Sequence, residues 1–197
     1  MPVLLSRWYL ILLFIFAFTV GGGVASGQEK KVVNREYKLK ASLLFKLSRF
    51  IKYSPSKKLP KNRLIMGVLG DSPMTGELRK IAAILARKKK RMTVLHFKKV
   101  QDIKPCHMLF IARNRWDLLG AVKNLGVAGK VKGKRVSGTV LVGDTRGFAG
   151  SRKGCMINFF IHENKINFEI NIDAERRAGV KISSKVLRLA VAKIVRD

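Results

Sequence analysis

The sequence has few acidic residues, few cysteines and few histidines. Its 197 residues include 12 aspartates and glutamates, two cysteines and three histidines, against 41 lysines and arginines. Two cysteines without a nearby pair of histidines supply too few ligands for a zinc site. The scarce carboxylates form no evident pair for general acid and base catalysis. The sequence therefore predicts no metal, no cofactor and no catalytic residue.

The two cysteines leave one question open. Cys106 and Cys155 both lie in apolar runs. A disulfide can form in an oxidising compartment, but it requires Cα atoms within bridging distance, which sequence does not give. One bridge and two free, buried thiols are both compatible with the sequence.

Because acidic residues are scarce, the chain has a formal net charge of +29. Such a field attracts anionic surfaces, such as phospholipid headgroups, acidic protein faces or nucleic acid, in a salt-dependent way. The basic runs at residues 87–91 and 130–135 have no interleaved aromatic residues for base stacking, which disfavours nucleic acid. An anionic membrane surface remains a candidate partner, and a solvated basic surface without a partner is the alternative.

The N-terminus has the pattern of an export signal. Arg7 precedes an apolar run from Trp8 to Val20, and small residues follow up to Gly27. This order predicts a signal peptide over residues 1–27 and a mature periplasmic domain over residues 28–197. The alternative is an uncleaved membrane anchor, because the apolar stretch approaches the ~20 residues that span a bilayer.

The central part of the chain alternates between strand and helix patterns. Apolar residues recur at helical spacing from Asn34 to Tyr53. The later predicted elements are strands at 63–69, 92–97, 108–112 and 139–142 and helices at 77–86 and 116–125. This alternation predicts an α/β fold, with a mostly parallel sheet and helices on both faces.

The last third predicts an antiparallel hairpin followed by a C-terminal helix. A two-residue turn at Glu163-Asn164 joins two strands at 155–161 and 165–172. It places the apolar pairs on one face: Ile161 with Ile166, Phe159 with Phe168, and Ile157 with Ile170. Ser183 is the expected N-cap of the closing helix, whose inward residues are predicted to be Leu187, Ala190, Val191 and Ile194.

Two short motifs suggest chemistry but lack the partners it needs. Gly70-Asp71-Ser72 is similar to an esterase nucleophile motif, yet no histidine of the chain follows an aspartate by three residues. The glycine-rich basic segment 143–154 could hold an anion, but it does not match a phosphate loop. An esterase relying on Ser72 is therefore the least favoured hypothesis.

Several blocks together resemble a known family. The stretch KGCMINFFIHENKINFEINIDAERRAGVKISSKVLRLA resembles the C-terminal signature of the YfiR family of bacterial periplasmic proteins. The blocks KASLLFKLSRFIKYSP, IMGVLGDSP, CHMLFIA and TVLVGDTRGFA agree with it in order. The resemblance implies a non-catalytic periplasmic regulator that binds and represses an inner-membrane diguanylate cyclase, lowering cyclic di-GMP and biofilm formation. It also implies a homodimer.

The chain departs from the family pattern at Ser54, Cys155 and Glu175, the last replacing a usual alanine. The expected partner or ligand face follows the last strand and consists of Glu169, Asn171, Arg176, Arg177 and Lys181. The alternative is structural: Glu169 pairs with a neighbouring arginine and Asn171 satisfies the backbone of the following turn. The second functional hypothesis is an exported protein that binds a small ligand or an anionic surface, without a cyclase.

Overall fold

The structure is a computed structural model that describes residues 25–53, 59–60, 62–124, 130–131, 134–135, 138–145, 148–149, 155–188 and 192–195. Two compact units divide the chain, Met1–Arg35 and Glu36–Asp197. Within the described part, no helix combines the length and the apolar character needed to cross a bilayer. The predicted signal peptide lies outside the described residues apart from its last three, which are helical.

A seven-stranded sheet forms the centre of the second unit, in the order β11-β9-β8-β7-β4-β2-β3. The five strands from β3 to β8 are parallel, β9 is antiparallel to β8, and β11 is parallel to β9. The predicted mostly parallel α/β fold is confirmed. The sheet strands are β2 (Leu64–Leu69), β3 (Met92–Phe97), β4 (Met108–Ile111), β7 (Val140–Gly143), β8 (Ile157–His162), β9 (Lys165–Asn171) and β11 (Ala192–Val195).

Short strands pair outside this sheet. β1 (Ile51–Lys52) pairs with β10 (Lys181–Ile182), and β5 (Lys130–Val131) pairs with β6 (Lys134–Arg135). The helices are α1 (Ala25–Ser48), α2 (Pro73–Arg87), α3 (Leu119–Asn124), α4 (Ile172–Ala178) and α5 (Ser184–Leu187), with 3₁₀ turns at Val100–Asp102 and Arg113–Leu118. The first predicted helix therefore ends five residues early, because the chain turns into β1 and hydrogen-bonds to β10.

Apolar side chains cover both faces of the sheet, because neighbouring residues of a strand point to opposite sides. Phe110 and Val142 face a first core, to which α1, α2, α4 and α5 contribute. Leu109 and Leu141 face a second core, to which α3 contributes. Helices on both faces, as the sequence predicted, leave β4 and β7 buried along their whole length, whereas the edge strand β3 is mostly half-buried.

The hairpin has the predicted register. Phe159 lies opposite Phe168, and Ile157 and Ile161 lie opposite Ile170 and Ile166. Glu163 and Asn164 have φ values of 49° and 57°, as a two-residue type I′ turn requires. Phe168 and Ile170 are completely buried in the first core, so the apolar side of the hairpin faces inward except next to the turn, where Ile161 is exposed.

The predicted C-terminal helix is shorter than its apolar spacing suggested. Ser183 caps it, accepting a hydrogen bond from the Lys185 backbone N–H, but α5 ends at Leu187. Ala192–Val195 is instead strand β11 on the edge of β9. Ile194, predicted to face inward, is 50% exposed. The β-branched residues of this segment suit a strand, and the unpaired edge of β9 supplies its hydrogen bonds.

Candidate functional site

Helix α4 is fixed at both ends by local hydrogen bonds. Asn171 is its N-cap: Oδ1 accepts from the Ala174 backbone N–H at 2.8 Å, and Nδ2 donates to the Ala149 carbonyl at 2.7 Å. At the other end Gly179 adopts φ 68° and donates to the Glu175 and Arg176 carbonyls. A left-handed residue of this kind is a common helix end. The seven-residue helix is therefore held in one position.

Glu175 connects α4 to the next strand. Its Oε1 accepts a hydrogen bond from the Ile182 backbone N–H at 2.8 Å. Ile182 lies opposite Ile51, and the Ser183 N–H donates to the Phe50 carbonyl at 2.9 Å. Glu175 is one of the family departures noted in the sequence, and its carboxylate positions α4 against the β1–β10 pair. This role is not evident from the sequence alone.

The exposed side of these elements is basic. Arg176 and Arg177 are exposed on α4, and Lys52 and Lys181 are exposed directly opposite each other on β1 and β10. Arg176 pairs with Asp173 one helical turn earlier. We call Lys52, Arg176, Arg177 and Lys181 the α4–β10 surface. Lys52 is not evident from the sequence as part of this surface, because only the β1–β10 pairing brings it here.

The structure separates the five predicted site residues. Arg176, Arg177 and Lys181 belong to the α4–β10 surface, on the side of the first core. Glu169 alternates with the buried Phe168 and Ile170, so it lies on the opposite face of the sheet. There the Asn158 Nδ2 donates to its Oε2 at 3.3 Å. The five residues therefore do not form one continuous face.

Asn171 is completely buried, and its described hydrogen bonds satisfy backbone groups on both sides. This agrees with the structural alternative for Asn171, that it satisfies the backbone of the following turn. Its side chain positions α4 rather than reaching solvent.

Both cysteines are free thiols in the structure, so the bridged alternative is not the one observed. Cys106 and Cys155 belong to the second core. The Cys155 Sγ donates to the Ile157 carbonyl at 3.0 Å. Burial raises the pKa of the Cys106 thiol to about 12, which removes the thiolate needed for nucleophilic or metal chemistry.

A buried ionic cluster lies beyond the carboxyl end of β7. The Lys40 ammonium is 3.3 Å from Asp144 Oδ2 and 2.5 Å from Glu36 Oε1. The Tyr37 hydroxyl donates to Asp144 Oδ2 at 2.7 Å. Arg113 donates to the Asp144 carbonyl oxygen at 3.1 Å through Nη2. The cluster joins α1 to the ends of β4 and β7, and sequence analysis did not identify it.

Burial governs the chemistry of this cluster. The side chains of Lys40 and Asp144 have no solvent exposure, so neither reaches a substrate. Burial, with the Asp144 carboxylate beside it, raises the pKa of Tyr37 above its ordinary value. The hydroxyl therefore stays protonated and keeps its hydrogen bond to Asp144. This arrangement anchors α1 to the sheet.

Ser72 and His96 each contact the backbone near the end of β2. Ser72 Oγ caps α2 by accepting from the Met74 N–H at 3.2 Å, and Pro73 is the first residue of that helix. Proline is favoured there, because its missing N–H would lack a helical partner anyway. The His96 Nε2 lies 3.1 Å from the Gly70 carbonyl. No Ser72–His96 hydrogen bond occurs among these described contacts.

His107 is a structural residue at the start of β4. Its Nδ1 accepts a hydrogen bond from the Ile65 N–H at 3.0 Å, and its ring meets Tyr53 edge to face at 5.0 Å. Burial lowers the pKa of His107 and raises that of Tyr53. Across the residues that the structure describes, no three histidine, cysteine or acidic side chains are grouped to hold a metal.

Comparison with known proteins identifies the family. No curated protein matches the chain. A family model described as YfiR/HmsC-like matches residues 37–191, a range that runs from Tyr37 in the ionic cluster through α4, β10 and α5. Because this match covers most of the chain, the protein belongs to the YfiR/HmsC-like family.

Proposed function

We propose that this protein is an exported periplasmic regulator that binds the periplasmic part of an inner-membrane diguanylate cyclase and represses it. The family match over residues 37–191 carries the proposal. Repression lowers cyclic di-GMP and biofilm formation. The function requires a shaped surface rather than a reactive group, and no cofactor takes part.

The α4–β10 surface is the contact region we propose. Its four basic side chains stand on elements held by the Asn171 cap, the Gly179 helix end and the Glu175–Ile182 hydrogen bond. A rigid backbone lowers the entropy lost on binding, which favours a specific contact. Positive charge also accelerates encounter with an acidic partner face.

Deletion of the gene tests the function directly. Cyclic di-GMP is expected to rise in the deletion strain and to fall again when the wild-type gene is restored. Unchanged cyclic di-GMP in the deletion strain would contradict the proposal. Tagged protein should also co-purify with a diguanylate cyclase from solubilised membranes.

Charge reversal tests the contact region. The variant with Arg177→Glu and Lys181→Glu should fold normally but fail to lower cyclic di-GMP or to co-purify the cyclase. A matched control carries Lys98→Glu and Lys99→Glu, which change two exposed lysines after β3. If both variants repress equally, the α4–β10 surface is not the contact.

A further inference from the structure

A groove opens where β2 and β3 begin. Leu64 and Met92, the first residues of these strands, line it together with Phe45 from α1 and Leu85 from α2. Its volume is about 740 Å³. These four side chains are only partly buried, so the groove presents an apolar wall to solvent.

Five basic side chains surround this wall: Arg49, Lys88, Lys89, Lys90 and Arg91. All five are exposed. None of the residues lining the groove, all within the described part of the chain, is acidic. The lining residues therefore concentrate positive charge and include no carboxylate to balance it.

The backbone holds this rim in place. After α2 ends, the Lys88 and Lys90 N–H groups donate to the Leu85 carbonyl and the Lys89 N–H donates to the Ala86 carbonyl. Lys89 takes a positive φ of 55° in this turn. The Leu64 N–H then donates to the Arg91 carbonyl at 3.1 Å. The basic run is thus a fixed turn beside the apolar wall.

The chemistry of the groove calls for a ligand with two parts. Clustered cations are satisfied by an anion with several acceptor oxygens, such as a phosphate. Removing the exposed apolar wall from water is favourable when apolar groups of a ligand cover it. A free phosphate would leave the wall bare. An anionic phospholipid supplies both parts, and runs of four or more basic residues are typical of sites for acidic lipids.

We propose that this groove docks the protein on a bilayer containing anionic phospholipid. Headgroup phosphates lie among Arg49 and the basic residues from Lys88 to Arg91, and an acyl chain covers the wall formed by Leu85 and its neighbours. The sequence pattern of residues 1–27 predicts a signal peptide or an anchor, and either would bring the chain to a membrane. The inference goes beyond the proposed function and does not rest on a cyclase.

Vesicle binding tests the charged part. The protein, purified in the form that the producing cell exports, is mixed with vesicles of phosphatidylcholine alone or with added phosphatidylglycerol. One variant carries Lys88→Gln, Lys89→Gln, Lys90→Gln and Arg91→Gln. The control removes the same charge through Lys98→Gln, Lys99→Gln, Lys104→Gln and Lys165→Gln, all at exposed positions.

Each basic residue at an acidic membrane surface contributes about fivefold in affinity, so the groove variant should bind phosphatidylglycerol vesicles at least about a hundredfold more weakly. The control should lose less than about tenfold. Equal losses would show that the overall charge, not the groove, attracts the membrane. That result, or no gain of wild-type binding from phosphatidylglycerol, overturns the proposal.

The apolar wall is tested by salt. High salt screens the charge contribution but not apolar burial. Leu85→Gln should therefore remove most of the binding that survives at high salt, while thermal unfolding confirms that the variant is folded. Survival of that binding in folded Leu85→Gln overturns the acyl-chain contact.

Soluble competitors separate the lipid from other anions. Polyglutamate and glycerol phosphate, at matched ionic strength, should not displace the protein from the vesicles. Displacement by polyglutamate would assign the groove to an acidic protein. Displacement by glycerol phosphate would assign it to a free phosphate compound.

Discussion

Lys40 and the basic rim of the groove show the same side-chain chemistry in opposite surroundings. Lys40 is completely buried, with the carboxylates of Glu36 and Asp144 on its ammonium. Lys88, Lys89 and Lys90 are exposed, with no acidic residue lining the groove beside them. The cation at Lys40 is used within the fold, whereas those on the rim are available to a partner.

The difference lies in where the few acidic residues are placed. With only 12 aspartates and glutamates for 41 basic residues, most cations cannot be neutralised within the chain. Two carboxylates meet at Lys40, while the rim and the α4–β10 surface keep an excess of positive charge. A buried charge needs a partner to be tolerated, but an exposed charge does not. The positions of the acidic residues thus decide which basic side chains stabilise the fold and which are left for recognition.

Removing the ammonium of Lys40 should have the largest effect. Lys40→Met leaves Glu36 and Asp144 without the cation between them, and breaking a buried ion pair costs about 3–5 kcal/mol. Urea unfolding of the variant should show this loss in the free energy of unfolding. Lys88→Met, which removes an exposed cation, should stay within about 0.5 kcal/mol of wild type. Similar losses of unfolding free energy in both variants would refute the distinction between a structural Lys40 and an exposed Lys88.

A smaller loss is expected at Glu175, whose carboxylate binds backbone instead of a cation. Glu175→Ala leaves the buried Ile182 N–H without its described acceptor, at a cost of about 1–3 kcal/mol. Glu175→Gln retains an oxygen acceptor and should recover most of this stability. Denaturant unfolding measures both. If Gln is as destabilising as Ala, the negative charge rather than the hydrogen bond is what matters.

His107 shows what happens to a buried base that has no carboxylate among its described contacts. Burial lowers its pKa in the folded protein, so as pH falls the unfolded chain binds the proton first. The stability associated with a neutral His107 is therefore complete above pH about 6.5 and declines below it, by at most about 1.4 kcal/mol per pH unit.

Comparison with His107→Gln isolates this contribution from those of the carboxylates. Between pH 6.5 and the lowered folded pKa, wild type should lose stability more steeply than the variant, as measured by urea unfolding at each pH. Parallel curves would mean that His107 is as easily protonated in the folded protein as in the unfolded chain.

Sequence periodicity was sufficient where one local pattern decides the structure. The hairpin register follows from the alternation of Phe159, Phe168 and Ile170, since a slip by one residue would expose them. Strand β11 differs from the predicted helix because the apolar residues of so short a segment fit both spacings. Its conformation depends on the edge of β9, which local sequence does not reveal.

The ionic cluster shows a contact that local sequence patterns do not predict. Lys40 lies on the same helical stripe as Tyr37, Leu44 and Leu47, so its burial could have been suspected. Its partner Glu36 is one helical turn away, but its second partner, Asp144, is 104 residues away in sequence, and only the fold brings them together. The predicted site residues are divided between two faces for a related reason: Glu169 and Arg176 lie on opposite faces of the sheet, because α4 packs against the first core.

The smallest expected effect concerns Lys52 and Lys181, which lie directly opposite each other on β1 and β10. Like charges in this position destabilise a strand pair, so Lys52→Glu should stabilise the protein by about 0.2–1 kcal/mol, and Lys52→Gln by less. Urea unfolding measures this gain. The same change reverses one charge of the α4–β10 surface, so repression of the cyclase should weaken while stability rises. A variant that is more stable and represses as well as wild type would show that Lys52 contributes nothing to recognition.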